Sequence, residues 1–559
     1  MERTVQGGAR MKRRIWVFGA ISLGLFLSAF LREAQAFCID EQKTLRVSAK
    51  LQTRATFRLQ DHEGYTYARA TAGDLVQWRN LALLEINHDL RELTNTLGLL
   101  WPLKKLQIES RYHLVGRFMY DALYNVGSDK FKSLREQDPE NIDSFKQAYD
   151  LWECYFDFIR GPWFLRVGRQ NIAWGETDIF RLLDGINPLD NTFGGPFEDL
   201  DDRRIPLWML RATRDMGSVG PLSSIVLEGF WVPGPWDARV APFAAIGTPY
   251  FAPLPELFHA AIRVNTPDKK WANSRWGVRL AGMAGANLNW SLGHYKSFLD
   301  TPAWRSAVDE NKLLQVGDNK LLTSLDAFLL EGSFPSVQVT GASMSYFEAM
   351  TNVVLRGEVA WFWDEPVFIP EVSLSTLGGP TLALSPPVLD LATGLLGVDI
   401  RDLGLDGLPL NPQSGQIPKK NILRFMVGLD KQLWIRPLNK KNMFFLSAQY
   451  FGQWVPDHED GMAQPVPIYP NAIVFPGVKA YENSVTAMLS TTYMKGNLAP
   501  QLALAYDLRG AWLVQPQVGF TYEPFRFMIQ YSAIAGNFTN FGILRDRDQI
   551  SFILTYLLS

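Results

Sequence analysis

Eight carboxylates fall between residues 173 and 204: Glu176, Asp178, Asp184, Asp190, Glu198, Asp199, Asp201 and Asp202. Seven cations, Arg46, Lys50, Arg54, Arg58, Arg111, Arg117 and Arg169, occupy the polar side of segments that alternate polar and apolar residues. An acidic segment folded against a basic wall makes a transverse field, which orders and selects polar or charged solutes. The plainer alternatives are carboxylates that are solvated, or that pair only to pin the segment. The run Glu198 to Asp202 offers oxygens to Ca²⁺ but lacks the twelve-residue loop spacing of a specific site. Pairing with Arg203 and Arg204 is the simpler expectation, so no metal is expected. Catalysis is poorly supplied. The histidines are His62, His88, His113, His259, His294 and His458. No G-x-S-x-G, H-E-x-x-H or glycine-rich phosphate loop accompanies them. His113, between Arg111 and Arg117, reads as lumen-lining. No catalytic residue and no cofactor are expected.

The elements that position these groups follow from period two. Leu45 to Gln60 reads LRVSAKLQTRATFRLQ, with Leu45, Val47, Ala49, Leu51, Ala55, Phe57 and Leu59 on one face. Arg46, Ser48, Lys50, Gln52, Arg54, Thr56, Arg58 and Gln60 take the other. Alternation of this length exceeds the ~3–10 residues of most globular strands. It suits an antiparallel transmembrane barrel with a polar interior; a soluble sandwich or lipocalin-like barrel is the alternative. Leu106 to Leu123 repeats the pattern. Further strands are expected near 75–90, 146–160, 163–172, 205–215, 222–231, 274–284, 288–297, 335–346, 351–363, 421–433, 442–454, 482–494, 498–508, 511–522, 525–535 and 548–558. The expectation is about eighteen strands, within the size range of such barrels.

The connections sort by length. Gly161-Pro162, Gly285-Ala286-Asn287, Lys495-Gly496-Asn497 and Glu523-Pro524 are short turn formers on one side. The stretches 125–145, 173–204, 232–273, 298–334, 364–420 and 455–481 are long and fall on the other. Short periplasmic turns and long external loops segregate in this way. Residues 91–104 are long for a turn, and Arg509-Gly510 is short for a loop. The 364–420 stretch, rich in Leu, Pro and Gly, is expected to form a self-packed external loop, a plug or a lipophilic surface. Tryptophans near strand ends (Trp78, Trp101, Trp163, Trp174, Trp361, Trp363, Trp434, Trp454) suggest interface girdles, against core packing or a sugar-binding slide.

Met11-Lys12-Arg13-Arg14, the apolar run Ile15 to Leu31 and Ala34-Gln35-Ala36 read as a signal peptide over 1–36, cleaved before Phe37. A retained anchor is the alternative. Residues 37–559 are then a single barrel. Loss of 1–36 moves the formal charge from −2 to −6. That balance argues against general nucleic-acid binding. Cys38 and Cys154 are either a disulfide or two isolated thiols.

A specific signature follows the 163–172 strand. Gly168-Arg169-Gln170, Trp174-Gly175-Glu176 and Gly185-Ile186-Asn187-Pro188-Leu189-Asp190 resemble the outer-membrane barrel family known as domain of unknown function 1302. Leu292 to Tyr295, and Gly341 to Val359, are similar to later segments of that family. The chain departs from the pattern in its Pro-rich 364–420 insertion and its acidic 198–202 run. The resemblance implies an exported barrel of a Gram-negative outer membrane, in contact with outer-membrane lipids and inserted by the assembly machinery. It also implies a part in moving lipids or other hydrophobic compounds alongside an inner-membrane exporter and a periplasmic carrier. The residues themselves suggest a porin-like channel or export barrel for small solutes or lipid-like compounds. A structural or adhesive surface barrel is the alternative, and an outer-membrane hydrolase a remoter one.

Overall fold

In the computed structural model the described residues are 37–38, 44–61, 70–91, 101–244, 248–249, 262–308, 313–316, 319–322, 328–373, 416–468 and 472–558. The expected signal peptide, most of the 364–420 stretch, His62, His259 and the side chains of Cys38 and Trp101 lie outside them.

The alternating segments form long antiparallel strands. In chain order they are β1 Leu45–Arg58, β2 Leu75–Asp89, β3 Glu109–Asp121, β4 Gln147–Arg160, β5 Trp163–Gln170, β6 Leu207–Val219, β7 Leu222–Val232, β8 Arg275–Ala284 and β9 Leu288–Phe298. They continue as β10 Ser336–Glu348, β11 Val353–Pro366, β12 Lys419–Leu433, β13 Phe444–Trp454, β14 Tyr481–Ser490, β15 Leu498–Asp507, β16 Ala511–Tyr522, β17 Phe525–Gly536 and β18 Gln549–Leu558. Each pairs with its sequence neighbours, and β18 pairs back on β1 from Ala49↔Leu558 to Arg58↔Gln549. The sheet therefore closes, and no open edge is left along that seam. Each of the eighteen expected segments overlaps one of these strands, with ends that differ by up to four residues. The two-residue strand Phe37–Cys38 adds to β1 below the seam, pairing Phe37 with Val47.

Closure separates the two faces. Leu84, Phe118, Leu165, Leu292, Val427 and Phe552 are large, apolar and exposed on the outside of the wall. A continuous apolar belt of this kind belongs against hydrocarbon. Tryptophans rim it: Trp163 and Trp434 at the turn end, and Trp231, Trp276, Trp363, Trp454 and Trp512 at the loop end. Trp231 stacks on Trp271 at 5.9 Å. Trp174 is not in either girdle; it is buried inside.

The lumen is two-sided. Strands β6 to β13 meet a buried apolar cluster that includes Met209, Phe230, Tyr295, Val339, Phe362 and Phe451. Strands β15 to β2 instead carry a polar row at one level, Gln501, Gln517, Gln530, Ser551, Thr56 and Gln77, each paired in register with the next. What fills the apolar half is the connection between β5 and β6. At the loop end of β3 and β4, the short helices Asp129–Gln137 and Pro139–Lys146 pack Phe131, Leu134 and Ile142 on Val76.

Candidate functional site

The signature residues build the neck of the β5–β6 connection. Gly168 has φ +138°, and a Cβ there would lie 2.1 Å from the Cys154 carbonyl oxygen, so only glycine lets the two strands approach. Arg169 is buried and donates to both Asp150 oxygens at 2.5 and 2.9 Å and to the Pro206 carbonyl at 3.2 Å. Gln170 donates to the Met209 carbonyl at 3.2 Å. Asn187 ties the two limbs together. Its Oδ1 accepts from the Ile172 N–H at 2.9 Å, and its Nδ2 donates to the Ile205 carbonyl at 2.9 Å. The Ile205 N–H donates to the Pro188 carbonyl at 2.9 Å and the Asp190 N–H to the Arg203 carbonyl at 2.8 Å. Fully bonded backbone is what permits irregular chain inside a barrel.

From this neck the connection runs across the lumen. Trp174 packs edge-on to Phe230 at 5.4 Å and to Tyr295 at 5.9 Å, with Arg279 5.3 Å from its ring. Gly175, at φ +121°, leaves room for a carboxylate: a Cβ there would meet Glu358 Oε2 at 2.8 Å. Glu358 accepts from the Glu176 N–H at 2.5 Å and the Leu183 N–H at 2.6 Å. Arg356 grips Asp178 through two bonds of 2.8 and 2.7 Å, and also donates to Asp430 at 2.8 Å and to Ser447 at 2.9 Å. On the opposite wall Glu198 takes Arg54 at 2.9 Å and Arg79 at 2.5 Å. Asp202 meets Lys50 at 3.5 Å. The Phe197 carbonyl accepts from Gln515 and Gln530, both at 3.0 Å. The segment is thus fastened to β1, β2, β11, β13, β16 and β17, the β13 bond running from the Ser447 hydroxyl to Asp178 at 3.0 Å.

Burial and pairing compete along it. Burial alone would raise the Glu198 pKa, but Arg79 and Arg54 outweigh it and hold the carboxyl below its usual range. Burial prevails at Asp184 over Arg181 and Arg204, and the pKa is raised. At Asp199 burial, then the neighbouring Asp202 charge, pushes the carboxyl up. Asp199 is open to the lumen yet walled by protein, which reconciles its exposure with this shift. Burial brings Arg203 down to about 10, so it stays charged at neutral pH.

The remaining sequence candidates are scattered. Arg46 is exposed at the turn end. Arg58 is buried and donates to the Pro249 carbonyl, 3.4 Å away, instead of facing the acidic segment. Arg111 faces Asp89 and Glu109 on its own wall at 3.5 and 3.9 Å. Arg117 lies 3.4 Å over the Trp152 ring. His113 contacts Asn87 at 2.6 Å and stacks on Tyr155 at 4.7 Å. The carboxylates of 198–202 diverge: Glu198 to Arg54 and Arg79, Asp201 to Arg204 at 2.6 Å, Asp202 to Lys50. A shared calcium site does not form from groups spent on separate cations. Cys154 is a free cysteine; its expected partner, Cys38, lies outside the described side chains. Arg79, Arg356, Glu358 and Arg526 are additions to the sequence candidates. All four sit at inward positions of period-two strands, so alternation alone points to them.

Among the described residues, several cavities lie between the connection and the wall. The one nearest the turn end encloses about 200 Å³ between Lys50, Arg54 and Arg526 on one side and Asp199 and Asp202 on the other. It meets a second, of about 150 Å³, along Phe197, Asp199, Gln517 and Gln530, which line both. A third, of about 200 Å³, lies toward the loop end among Arg181, Arg424, Glu482 and Asn483. Phe180 lines the third. It packs on Phe451 at 5.3 Å on one side of the lumen and on Phe541 at 6.0 Å on the other. It therefore bridges the apolar cluster to a smaller one made by Phe197, Leu513, Ile534 and Phe541.

The family model described as protein of unknown function (DUF1302) matches residues 17–558. The chain belongs to the DUF1302 family. Its Gly168–Asp190 signature thus has a visible physical task in this DUF1302 member, the neck and crossing of the β5–β6 connection. Among solved structures the chain is similar to Pseudomonas aeruginosa OccK9 (OpdG), at 12% identity and a TM-score of 0.45, covering 94% of this chain and 99% of that one. Acinetobacter baumannii OccAB1 gives 11% and 0.43, covering 94% and 99%. A BenF-like porin from Pseudomonas fluorescens Pf-5 gives 11% and 0.42, covering 92% and 98%. No curated protein matches.

Proposed function

We propose that this DUF1302 protein is an outer-membrane channel that passes small polar solutes through a lumen narrowed by its β5–β6 connection. One observation carries the reading: the connection is held across the barrel, and polar cavities remain between it and the β14–β1 wall. Lys50, Arg54 and Arg526 face Asp199 and Asp202 across the first of these, so a solute there meets a transverse field in a low-dielectric surround. The apolar half of the described lumen is occupied by Trp174, Leu182, Leu183 and Ile186 of the connection itself. Lipid-like cargo handed over by an inner-membrane exporter and a periplasmic carrier would need that apolar surface free. Export by a cleaved signal peptide accounts for delivery.

The test is ion selectivity of the full mature chain in planar bilayers. Lys50→Glu with Arg526→Glu should shift selectivity toward cations. Unchanged selectivity in a conducting barrel would remove the charged constriction. Arg54 and Arg58 are poor targets, since the first pins the connection and the second is buried beside Pro249.

A further inference from the structure

The paired charges around the first cavity leave two that are not paired. Asp199 and Arg526 have no hydrogen-bond or ion-pair partner among the described residues, although Arg54, Glu198, Asp201 and Asp202 beside them are all engaged. They stand on different elements, Asp199 on the connection and Arg526 on β17, and both line the same cavity. Gln517 and Gln530 line it too, and offer amide oxygens and nitrogens between the charges. Asp199 also borders the second cavity, so a group held there sits where the two spaces join.

Asp199 and Arg526 are both exposed to this space, so each is free to take an oppositely charged group from solution, and the pairing offsets the hydration that the incoming group gives up. Two such groups of opposite sign on facing walls match a molecule that carries both signs. A simple anion would satisfy Arg526 but meet Asp199 and Asp202; a simple cation would satisfy Asp199 but meet Lys50, Arg54 and Arg526. We infer that the Asp199–Arg526 cavity is a binding subsite for small zwitterions, with the ammonium end at Asp199 and the carboxylate end at Arg526. This rests on the channel reading for its purpose, though not for its chemistry.

The probe is 4-aminobutyrate, beside pentanamide as the uncharged control and pentanoate as the anionic one. Binding is measured by calorimetry on the full mature chain in detergent, and passage by uptake into liposomes carrying it. The zwitterion should bind about tenfold more tightly than either control, and Asp199→Asn or Arg526→Gln should each remove about that factor. Asp199→Glu should retain the preference, which guards against a variant that is merely misfolded. Equal binding of the three probes to the unaltered protein would overturn the inference, as would a preference that survives both substitutions. Passage without charge preference would leave the channel and sink the subsite. Binding without passage would leave the subsite and sink the channel.

Discussion

Glu198 is the residue on which the crossing segment depends most. It is buried with two guanidiniums, and removing its charge strands both in a poorly hydrated space. Breaking a buried ion pair from one side costs about 3–5 kcal/mol. Glu198→Gln should therefore lower the thermal midpoint of the barrel interior and make the 190–205 segment accessible to protease. Protection equal to the unaltered chain would contradict this. Acid should act on the two neighbouring carboxylates in different ways. The Asp199 pKa is raised, so its charge is lost at values above the ordinary ~3.9 of aspartate. Binding of 4-aminobutyrate should fall through that range, as calorimetry against pH would read. The Glu198 pKa is lowered, so its pinning contribution is present above the ordinary ~4.3 of glutamate and is lost only as pH falls through its lower folded value. Release of the segment above pH ~4.3 would contradict this. At this scale the sequence named the acidic segment and much of the basic wall. It did not name the partners, because ion pairing across a barrel joins residues such as Arg54 and Glu198 that no local pattern relates.

At the scale of elements, period two was enough. The strand Leu45–Arg58 turns polar groups inward and shows apolar ones to lipid, so it states its own orientation; Val353–Pro366 turns Arg356 and Glu358 inward together with the apolar Ala360 and Phe362. The β5–β6 connection was legible as long and acidic. Its path was not, because the path is set by Asn187 clamping both limbs and by Gly175 admitting the Glu358 carboxylate. Trp174 illustrates the limit: a tryptophan near a strand end resembles a girdle residue, yet the clamp turns it inward onto Phe230 and Tyr295. Phe180 lines the third cavity and touches both apolar clusters. Apolar constrictions in pores exclude water and ions until they part. Phe180→Ala with Phe541→Ala should raise the open fraction several-fold in bilayer recordings while leaving the strands intact by circular dichroism. Unaltered gating would place the barrier elsewhere.

The whole molecule is a closed wall with an asymmetric interior. One half is packed like a soluble core, with Met209, Phe230 and Phe451 against the connection; the other is a row of amides and hydroxyls from Gln501 to Gln77. The outer belt suits lipid, and among the described residues the first two cavities lie on the β14–β1 side. Period-two alternation and loop segregation disclosed the first of these features, since each is a pattern over many residues. The second emerges only when strands far apart in sequence, such as β1 and β18, are brought together by closure. In the proposed channel a narrow aqueous route follows the polar wall, with Phe180 and Phe541 as its expected barrier. Single-channel conductance of the refolded mature chain, before and after both phenylalanines become alanine, tests it most directly. Small or intermittent currents that become large and steady in the double variant are the predicted result. A wide, steady conductance indifferent to both substitutions, or none in either folded protein, would contradict it.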